Sequence, residues 1–372
     1  MGQGICHGES ERSTPLNTIV TIILFVLLLT VIICIHEAGH LFAAKKFGVY
    51  CFEYSFGMGP VLFQRKKNET LYSIRALPVG GYVSMAGEQD GDAAYPDVEV
   101  PEGRRLTDQK PWKKVIIMLA GVFMNFLLAF VIFSMIVLSN GAYAKSPKAE
   151  IRSVTAGSPA ETAGLEAGDV ITKVILSDGS SSKVKTFTDL QYAMASVQEE
   201  PVTLEVMREG ETLDITVTPV WNEEYQSWMI GIQGPDAQIV KVNLLNCWVY
   251  GIDEMHTLTK ATWSAFVRIF TGDGINQLSG PVGIYSATEQ SASYGIIGYL
   301  FLIAELSLNI GIFNLIPLPV LDGGQVVITI VEAIIHKPVN EKVKIGIMTV
   351  TWALLITLMI FVTWHDIARL AG

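Results

Sequence analysis

Charged residues are scarce in this chain, and those present form no long basic run. Asp, Glu, Lys and Arg make up 17% of the 372 residues, whereas hydrophobic residues make up 50%. This balance is typical of a membrane protein that carries a soluble part. The net charge of −10 argues against nucleic acid as a partner.

Cysteine is also rare, and its spacing excludes two kinds of site. The chain has four cysteines and no C-x-x-C pair: Cys6, Cys34, Cys51 and Cys247. They therefore give neither a disulfide framework nor a sulfur-ligated zinc site. Cys34 lies two positions before His36, but residues two apart face different sides of a helix. We interpret Cys34 as a small apolar filler.

What the chain does contain is four long apolar segments, which predict four transmembrane helices. About 20 helical residues cover a hydrocarbon core of ~30 Å. The predicted spans are 16–44, 115–138, 295–324 and 344–363. The first is too long for a signal peptide, and no A-x-A cleavage site follows it. Asn125, a polar residue within the second span, is predicted to bond to a neighbouring helix.

The most informative pattern is His-Glu-x-x-His at residues 36–40, at the end of the first apolar segment. On a helix, His36 and His40 lie on the same face and can share one Zn²⁺. Glu37 sits one step round, where it can accept a proton without being a ligand. The alternative is that both histidines are buried residues that hydrogen-bond within the protein and bind no metal. Because residues 16–35 carry no charge, three ionisable groups there are costly, which favours the metal site.

A third ligand is predicted downstream, in the run N-L-I-P-L-P-V-L-D-G-G at residues 314–324. Pro317 and Pro319 cannot continue a regular helix, so they free backbone groups in or beside the third span. Asp322 is a carboxylate in an apolar stretch, where a metal would stabilise it. The alternative is that Asp322 caps a helix over 325–335, which does not exclude ligation.

The segment between the first two spans predicts a β-element. Residues 52–63 and 71–85 look like strands around a turn region at 64–70. The run P-V-G-G at 78–81 could approach the membrane only where protein or water satisfies its backbone, and an ordinary surface hairpin is equally compatible. Residues 90–108, rich in Asp, Glu, Gly and Pro, predict a mobile loop.

After the second span, the hydropathy changes to that of a soluble domain. Strands are predicted at 151–154, 170–176, 202–207 and 213–218, with a hairpin turn at 208–211 and a helix at 187–197. The glycine-rich run at 156–169 resembles a PDZ domain, which implies a groove that binds peptides by β-augmentation. A rigid spacer is the alternative. Residues 242–270 predict a helix on the membrane surface, since their charges disfavour a span.

The distribution of basic residues predicts the topology. Residues 45–114 carry eleven Lys or Arg, and the 322–345 loop adds three. Both segments should therefore face the cytoplasm. Four spans then place both termini and the 139–295 region outside. His36 and His40 lie near the cytoplasmic end of the first helix.

Several of these motifs together resemble the site-2 protease family, in its bacterial regulator-of-sigma-E protease branch. They are the His-Glu-x-x-His pattern, the PDZ-like insert, the G-P-V-G run at 280–283 and the 314–323 run. The resemblance covers nearly the whole chain after residue 15. A single PDZ-like domain is a departure from those relatives that have two.

This resemblance implies an intramembrane zinc metalloprotease in the bacterial inner membrane. The implied Zn²⁺ ligands are His36, His40 and Asp322, and the implied general base is Glu37. Asn314 would help to hold the substrate backbone. The 71–85 region would present substrate as an added strand.

The predicted architecture is a multi-pass α-helical membrane protein with a membrane-associated β-element and an inserted extracytoplasmic PDZ-like α+β domain. Its segments are a flexible N-terminus (1–15), the first span (16–44), a cytoplasmic loop with the β-hairpin (45–114), the second span (115–138), the PDZ-like domain (149–220), an amphipathic helical linker (239–294), the third span (295–324), a cytoplasmic helix (325–343), the fourth span (344–363) and a C-terminal tail (364–372).

Three function classes compete for this architecture: an intramembrane endopeptidase, a membrane-anchored PDZ scaffold with a structural or vestigial metal site, and a metal-handling transporter. A scaffold does not need Glu37, and a transporter should carry more polar groups in its spans. We therefore expect an endopeptidase in the lipid bilayer. By resemblance, its partners are single-span membrane proteins, either pre-trimmed anti-sigma factors or remnant signal peptides. Oligomeric state is not readable from the sequence.

Overall fold

The computed structural model describes residues 18–194, 197, 199–223, 227–271 and 280–371. The predicted flexible N-terminus lies outside the described residues. The chain divides into two compact units, Met1–Ile136 with Leu278–Gly372, and Val137–Gln277.

The described residues form helices and strands in the following order along the chain. They are α1 (Thr18–Lys46), β1 (Cys51–Lys67), β2 (Thr70–Met85), α2 (Gln89–Ala94), a 3-10 turn (Leu106–Asp108), α3 (Pro111–Asn140), β3 (Ala142–Lys145), β4 (Ser153–Val154), α4 (Pro159–Thr162), β5 (Val170–Ile175), β6 (Ser181–Lys183), α5 (Phe187–Met194), β7 (Val202–Arg208), β8 (Glu211–Val217), β9 (Val220–Asn222), β10 (Ser227–Met229), β11 (Ile232–Gln233), β12 (Gln238–Lys241), α6 (Cys247–Thr271), α7 (Pro281–Ser293), α8 (Gly295–Asn314), α9 (Asp322–Ile335) and α10 (Glu341–Ala371).

Four of these helices, α1, α3, α8 and α10, are long and apolar enough to cross a membrane. This agrees with the prediction of a multi-pass membrane protein. The third predicted span, 295–324, is interrupted where the two prolines predicted a break in the helix. α8 ends at Asn314 and α9 begins at Asp322, since Pro317 and Pro319 interrupt the helix between them.

The β1–β2 hairpin folds back on itself. Residues 53–56 pair with 81–84 in the antiparallel sense, and they also pair with 71–74, where the partner numbers rise together. The outer half of the hairpin therefore bends over and lies against the inner half. The turn is tighter than the predicted 64–70 region, because the strands continue to a two-residue turn that begins at Asn68, with φ 56°.

A buried carboxylate holds the hairpin in this folded shape. Glu53 is fully buried and accepts hydrogen bonds from Arg75 Nη2 at 2.8 Å, from Tyr82 at 2.7 Å and from the Tyr95 hydroxyl. Arg75 also donates to the carbonyl of Gly59 at 2.7 Å. Burial alone would raise the pKa of Glu53, but the hydrogen bonds outweigh it and hold that pKa below its ordinary value.

The 90–108 segment, predicted as a mobile loop, is not a loop throughout. It contains α2 and the 3-10 turn, and Leu106 is buried. The Nη1 and Nη2 atoms of Arg104 each lie 2.7 Å from a carboxylate oxygen of Glu69 on the hairpin turn. Charged residues such as Arg104, which predicted a solvent-exposed loop, therefore attach this segment to the hairpin.

The hairpin also packs against α1. Thr30 donates a hydrogen bond to the carbonyl of Pro78 at 2.9 Å, and the Tyr54 hydroxyl donates to the carbonyl of Cys34 at 2.8 Å. Thr30 and Cys34 belong to the apolar part of α1, so the 78–81 run reaches the depth of the span. Of its two interpretations, the structure favours the one in which protein satisfies the backbone near the membrane.

The second unit is built on an antiparallel sheet with strand order β6-β5-β7-β8. β7 and β8 join through Glu209 and Gly210, both with positive φ, as expected for a tight hairpin turn. The buried core runs from Ala149 to Ile230, so it takes in residues beyond the predicted limit at 220. The assignment of this unit as a PDZ domain stays a prediction.

Two short paired strands, β3 and β12, flank this core in the sequence. β3 and β12 are antiparallel, and Lys145 pairs with Gln238. Residues 238–241 are therefore a strand, although the beginning of the predicted helical linker covers them. Backbone pairing with β3 overrides the weak helical pattern there. The predicted helix over 242–270 is observed at Cys247–Thr271, and its location on the membrane surface stays a prediction.

The buried Glu53 cluster gives the first testable prediction. Glu53→Gln should lower the free energy of unfolding by about 1–3 kcal/mol, because it removes the negative charge that pairs with Arg75 and leaves fewer acceptors for the donors around it. Since the folded-state pKa of Glu53 is depressed, its contribution is present at neutral pH and is lost as pH falls below about 4. Chemical unfolding of the detergent-purified protein at several pH values measures both effects.

Glu69→Gln is the matched control. Its pair with Arg104 is about a quarter to a third exposed, and an exposed pair contributes at most about 1 kcal/mol. Equal losses of stability in the two variants would contradict the role assigned to Glu53.

Candidate metal centre

Two histidines and one carboxylate converge between α1 and α9. His36 and His40 are buried, and their Nε2 atoms lie 3.2 Å apart. Asp322 places Oδ2 at 3.2 Å from His36 Nε2 and Oδ1 at 3.5 Å from His40 Nε2. A tetrahedral zinc with bonds of ~2.0–2.2 Å separates its ligand atoms by about 3.3–3.6 Å. The two histidine nitrogens and the Asp322 carboxylate therefore lie close enough together to act as three ligands of one zinc ion.

The surroundings of Asp322 test whether a metal fits. Its Oδ2 atom is buried and has no hydrogen-bond partner within the described part of the chain. A buried carboxylate oxygen without a partner is costly, and a cation between it and the histidines removes that cost. The alternative role as a helix cap is wrong, because Leu321 occupies the cap position and no side chain caps α9.

Two glycines allow α9 to begin at this place. A Cβ atom added to Gly323 would lie 2.3 Å from the carbonyl oxygen of Leu315, and one added to Gly324 would lie 2.0 Å from that of Leu318. Only glycine permits the start of α9 to lie this close to the connecting backbone. Asn314, the predicted substrate-binding residue, ends α8 at the start of the same connection. Its role stays a prediction.

The outer nitrogens of both histidines contact α3. His40 Nδ1 lies 2.8 Å from the carbonyl oxygen of Ile117, which can only accept. The proton of His40 is therefore on Nδ1, and the lone pair of Nε2 points into the site. His36 Nδ1 lies 3.2 Å from the side-chain amide of Asn125. The prediction that Asn125 bonds to a neighbouring helix is confirmed, and its partner is a predicted ligand.

Close packing of α1 on α3 makes these contacts possible. A Cβ atom at Gly39 would lie 2.3 Å from the carbonyl oxygen of Ala120, and one at Gly121 would lie 2.4 Å from His40 Nε2. Small residues at helix interfaces let membrane helices approach closely. The contribution of Gly121 was missed in the sequence, where its only signal is a small residue four positions before Asn125.

Glu37 directly follows His36 in the sequence, but its side chain makes a different contact. The backbone N–H of Val83 donates a hydrogen bond to Glu37 Oε2 at 3.1 Å. The strand that contains Val83 thus fixes the carboxylate from outside α1. This leaves Glu37 outside the group of His36, His40 and Asp322, as expected for a proton acceptor that is not a ligand.

Gly121→Ala should weaken zinc binding strongly, because the added methyl group would occupy the space of His40 Nε2. Zinc content and affinity of the detergent-purified variant test this. Gly346→Ala is the matched control, since Gly346 lies in α10 and a Cβ atom there meets nothing within 4 Å. Wild-type affinity in Gly121→Ala would show that the site tolerates the group and that the close approach is not needed.

Comparison with known proteins agrees with this chemistry. The family model described as Peptidase family M50 matches residues 24–358. The regulator of sigma-W protease RasP from Bacillus subtilis (strain 168) is 31% identical, over 94% of this chain and 99% of the relative. A putative zinc metalloprotease of Clostridium perfringens is 36% identical, over 93% and 98%. The chain belongs to peptidase family M50, the site-2 protease family, and is a zinc metalloprotease.

Proposed function

We propose that this protein is an intramembrane endopeptidase that cleaves the transmembrane segments of single-span membrane proteins. The observation that carries the proposal is the convergence of His36, His40 and Asp322 beside helices that are apolar enough to cross a membrane. These three residues would hold the zinc ion. When bound, zinc supplies a Lewis acid and lowers the pKa of a water molecule toward ~7.

Glu37 is the proposed general base. It would accept the proton from the attacking water and return it to the leaving amine. The hydrogen bond from Val83 N–H to Glu37 Oε2 supports this role, because it holds one carboxylate oxygen and leaves the other for proton transfer. A base that is oriented before substrate arrives needs no reorganisation during the reaction.

The β-element supports a mode of substrate binding. Peptide carbonyls in a helix are already hydrogen-bonded, so a transmembrane substrate must unwind before it is attacked. Residues 81–84 pair with 53–56 on one edge, and Val83 on the other edge faces Glu37. An unwound substrate could pair along this second edge as an added strand. Asn314 is proposed to hold the substrate backbone near the same centre.

The substrate class is proposed from the named relative and from the charge pattern. The Bacillus subtilis relative is named as a regulator of sigma-W, which supports pre-trimmed anti-sigma factors as substrates, with remnant signal peptides as a second possibility. The eleven basic residues in 45–114 support a bacterial cell membrane topology in which this segment is cytoplasmic. The 137–277 unit would then be extracytoplasmic.

Glu37→Gln tests the mechanism. This substitution keeps the size of the side chain and removes the proton acceptor, so cleavage of a model transmembrane substrate should fall by about 10²–10⁴-fold. Zinc content should stay at the wild-type level, because Glu37 is not a proposed ligand. Near wild-type cleavage by a zinc-loaded Glu37→Gln protein would rule out the proposed base.

The inserted unit is proposed to select substrates and not to take part in chemistry. None of the proposed site residues lies between 137 and 277. Because Lys145 and Gln238 are paired, residues 146–237 can be replaced by an Asn-Gly turn that closes β3 and β12 as a hairpin. This variant should cleave a pre-trimmed substrate at close to the wild-type rate. Substrates with bulky outer domains should be cleaved faster than by the intact protein.

The measurement is side-by-side cleavage of long and pre-trimmed substrates by the intact and shortened proteins. The shortened protein carrying Glu37→Gln is the control for contaminating proteases. A shortened protein that binds zinc but cleaves neither substrate would contradict the proposed role, since the unit would then be required for activity itself.

A further inference from the structure

Among the described residues, the side-chain amide of Asn125 is buried and its oxygen has no hydrogen-bond partner. The side chain of Asn125 is fully buried in α3. Its Nδ2 atom lies 3.2 Å from His36 Nδ1, while its Oδ1 atom has no hydrogen-bond partner within the described residues. A half turn about the Cβ–Cγ bond exchanges the positions of the amide oxygen and nitrogen at little cost in shape.

The second nitrogen of His36 decides between the two orientations. His36 Nε2 lies 3.2 Å both from His40 Nε2 and from Asp322 Oδ2, so Nε2 is the atom that faces the proposed metal. A neutral histidine that uses the Nε2 lone pair carries its proton on Nδ1. That proton needs an acceptor. After the half turn, Asn125 Oδ1 takes the place of Nδ2 beside His36 Nδ1 and can accept this proton.

We infer that Asn125 is a positioning residue that accepts the Nδ1 proton of His36 and so fixes this histidine in the tautomer that binds zinc. The inference rests on the proposed assignment of His36 as a ligand. α3 would then control both histidines in the same way, since the carbonyl of Ile117 accepts from His40 Nδ1. Partners of this kind orient the ring and raise the basicity of the ligand nitrogen.

The position of Asn125 is itself fixed. Ser307 on α8 donates a hydrogen bond to the backbone carbonyl of Asn125 at 2.9 Å, and Ser307 is fully buried. This bond joins α8 to α3 at the level of His36. The backbone of Asn125 therefore cannot move away from the histidine without breaking a buried contact, and the amide is held within reach of Nδ1.

The test compares zinc affinity, by competition with a chelator, in Asn125→Leu, Asn125→Ala and Asn125→Asp. Loss of the acceptor should weaken zinc binding about 10–100-fold in the Leu and Ala variants. Asn125→Asp should stay within a few-fold of wild type, because a carboxylate can accept the same proton. Rescue by Asp separates an acceptor from a donor, since Asp at neutral pH offers no N–H to His36.

A second readout reports the geometry of the metal ligands and, like zinc affinity, does not depend on activity. The absorption spectrum of the cobalt-substituted protein reports ligand geometry, and it should change in the Leu and Ala variants but not in the Asp variant. Ser134→Ala is the matched control, because Ser134 is buried in the same helix and donates within α3 to Phe130. Thermal unfolding of the metal-free proteins identifies any variant that has lost its fold. If either Asn125→Leu or Asn125→Ala is unfolded, the zinc affinity of the other one tests the inference.

His36→Ala in the same assay separates this inference from the proposed function. If His36→Ala weakens zinc binding and the Leu and Ala variants of Asn125 do not, the positioning role is wrong while the ligand set stands. If Asp weakens binding as much as Leu, Asn125 does not act as an acceptor, and the inference also fails. If His36→Ala itself leaves zinc affinity unchanged, the ligand assignment and everything built on it fail together.

Discussion

The constraint on which this site depends is the close approach of α1 and α3. In lipid, no hydrophobic effect draws two apolar helices together, so packing and polar contacts must hold them. Gly39 and Gly121 remove the side chains that would separate the backbones. Only at that distance can Ile117 and Asn125 reach the outer nitrogens of the two histidines. Helix α3 therefore contributes no proposed ligand itself but contacts the two histidines that are proposed as ligands.

A second constraint is that backbone groups at the depth of a span need partners within the protein. The hairpin finds such partners along α1: the carbonyl of Pro78 accepts a hydrogen bond from Thr30, and the N–H of Val83 donates one to Glu37. Seven residues of helix separate Thr30 from Glu37, which is about 10 Å along the axis. The hairpin is thus attached over a considerable length beside the centre. The buried Glu53 cluster keeps the outer half of the hairpin folded back against the inner half.

The sequence alone predicted the parts of the site that depend on local spacing. His36 and His40 follow from the period of one helix, and Asp322 follows from a carboxylate placed just after two prolines. The sequence could not predict Gly121, the Ile117 carbonyl or the partner of Asn125, because these depend on the register between two helices distant in sequence. The same reason explains the strand at 238–241, whose partner β3 lies almost 100 residues earlier. Composition did not predict the helical parts of 90–108 or the ion pair between Arg104 and Glu69 that attaches this segment to the hairpin.

The break after α8 completes the argument, because it explains how a carboxylate from the second half of the chain reaches two histidines in the first. If α8 continued as a regular helix from Asn314, Asp322 would lie about 12 Å further along its axis. Pro317 and Pro319 end that path, and Gly323 and Gly324 let the chain pack against residues 315–319 as α9 begins. Asp322 is thereby placed within 3.5 Å of both histidines. The prolines end the helix, the glycines permit the close approach of the backbone, and the aspartate then reaches the histidines.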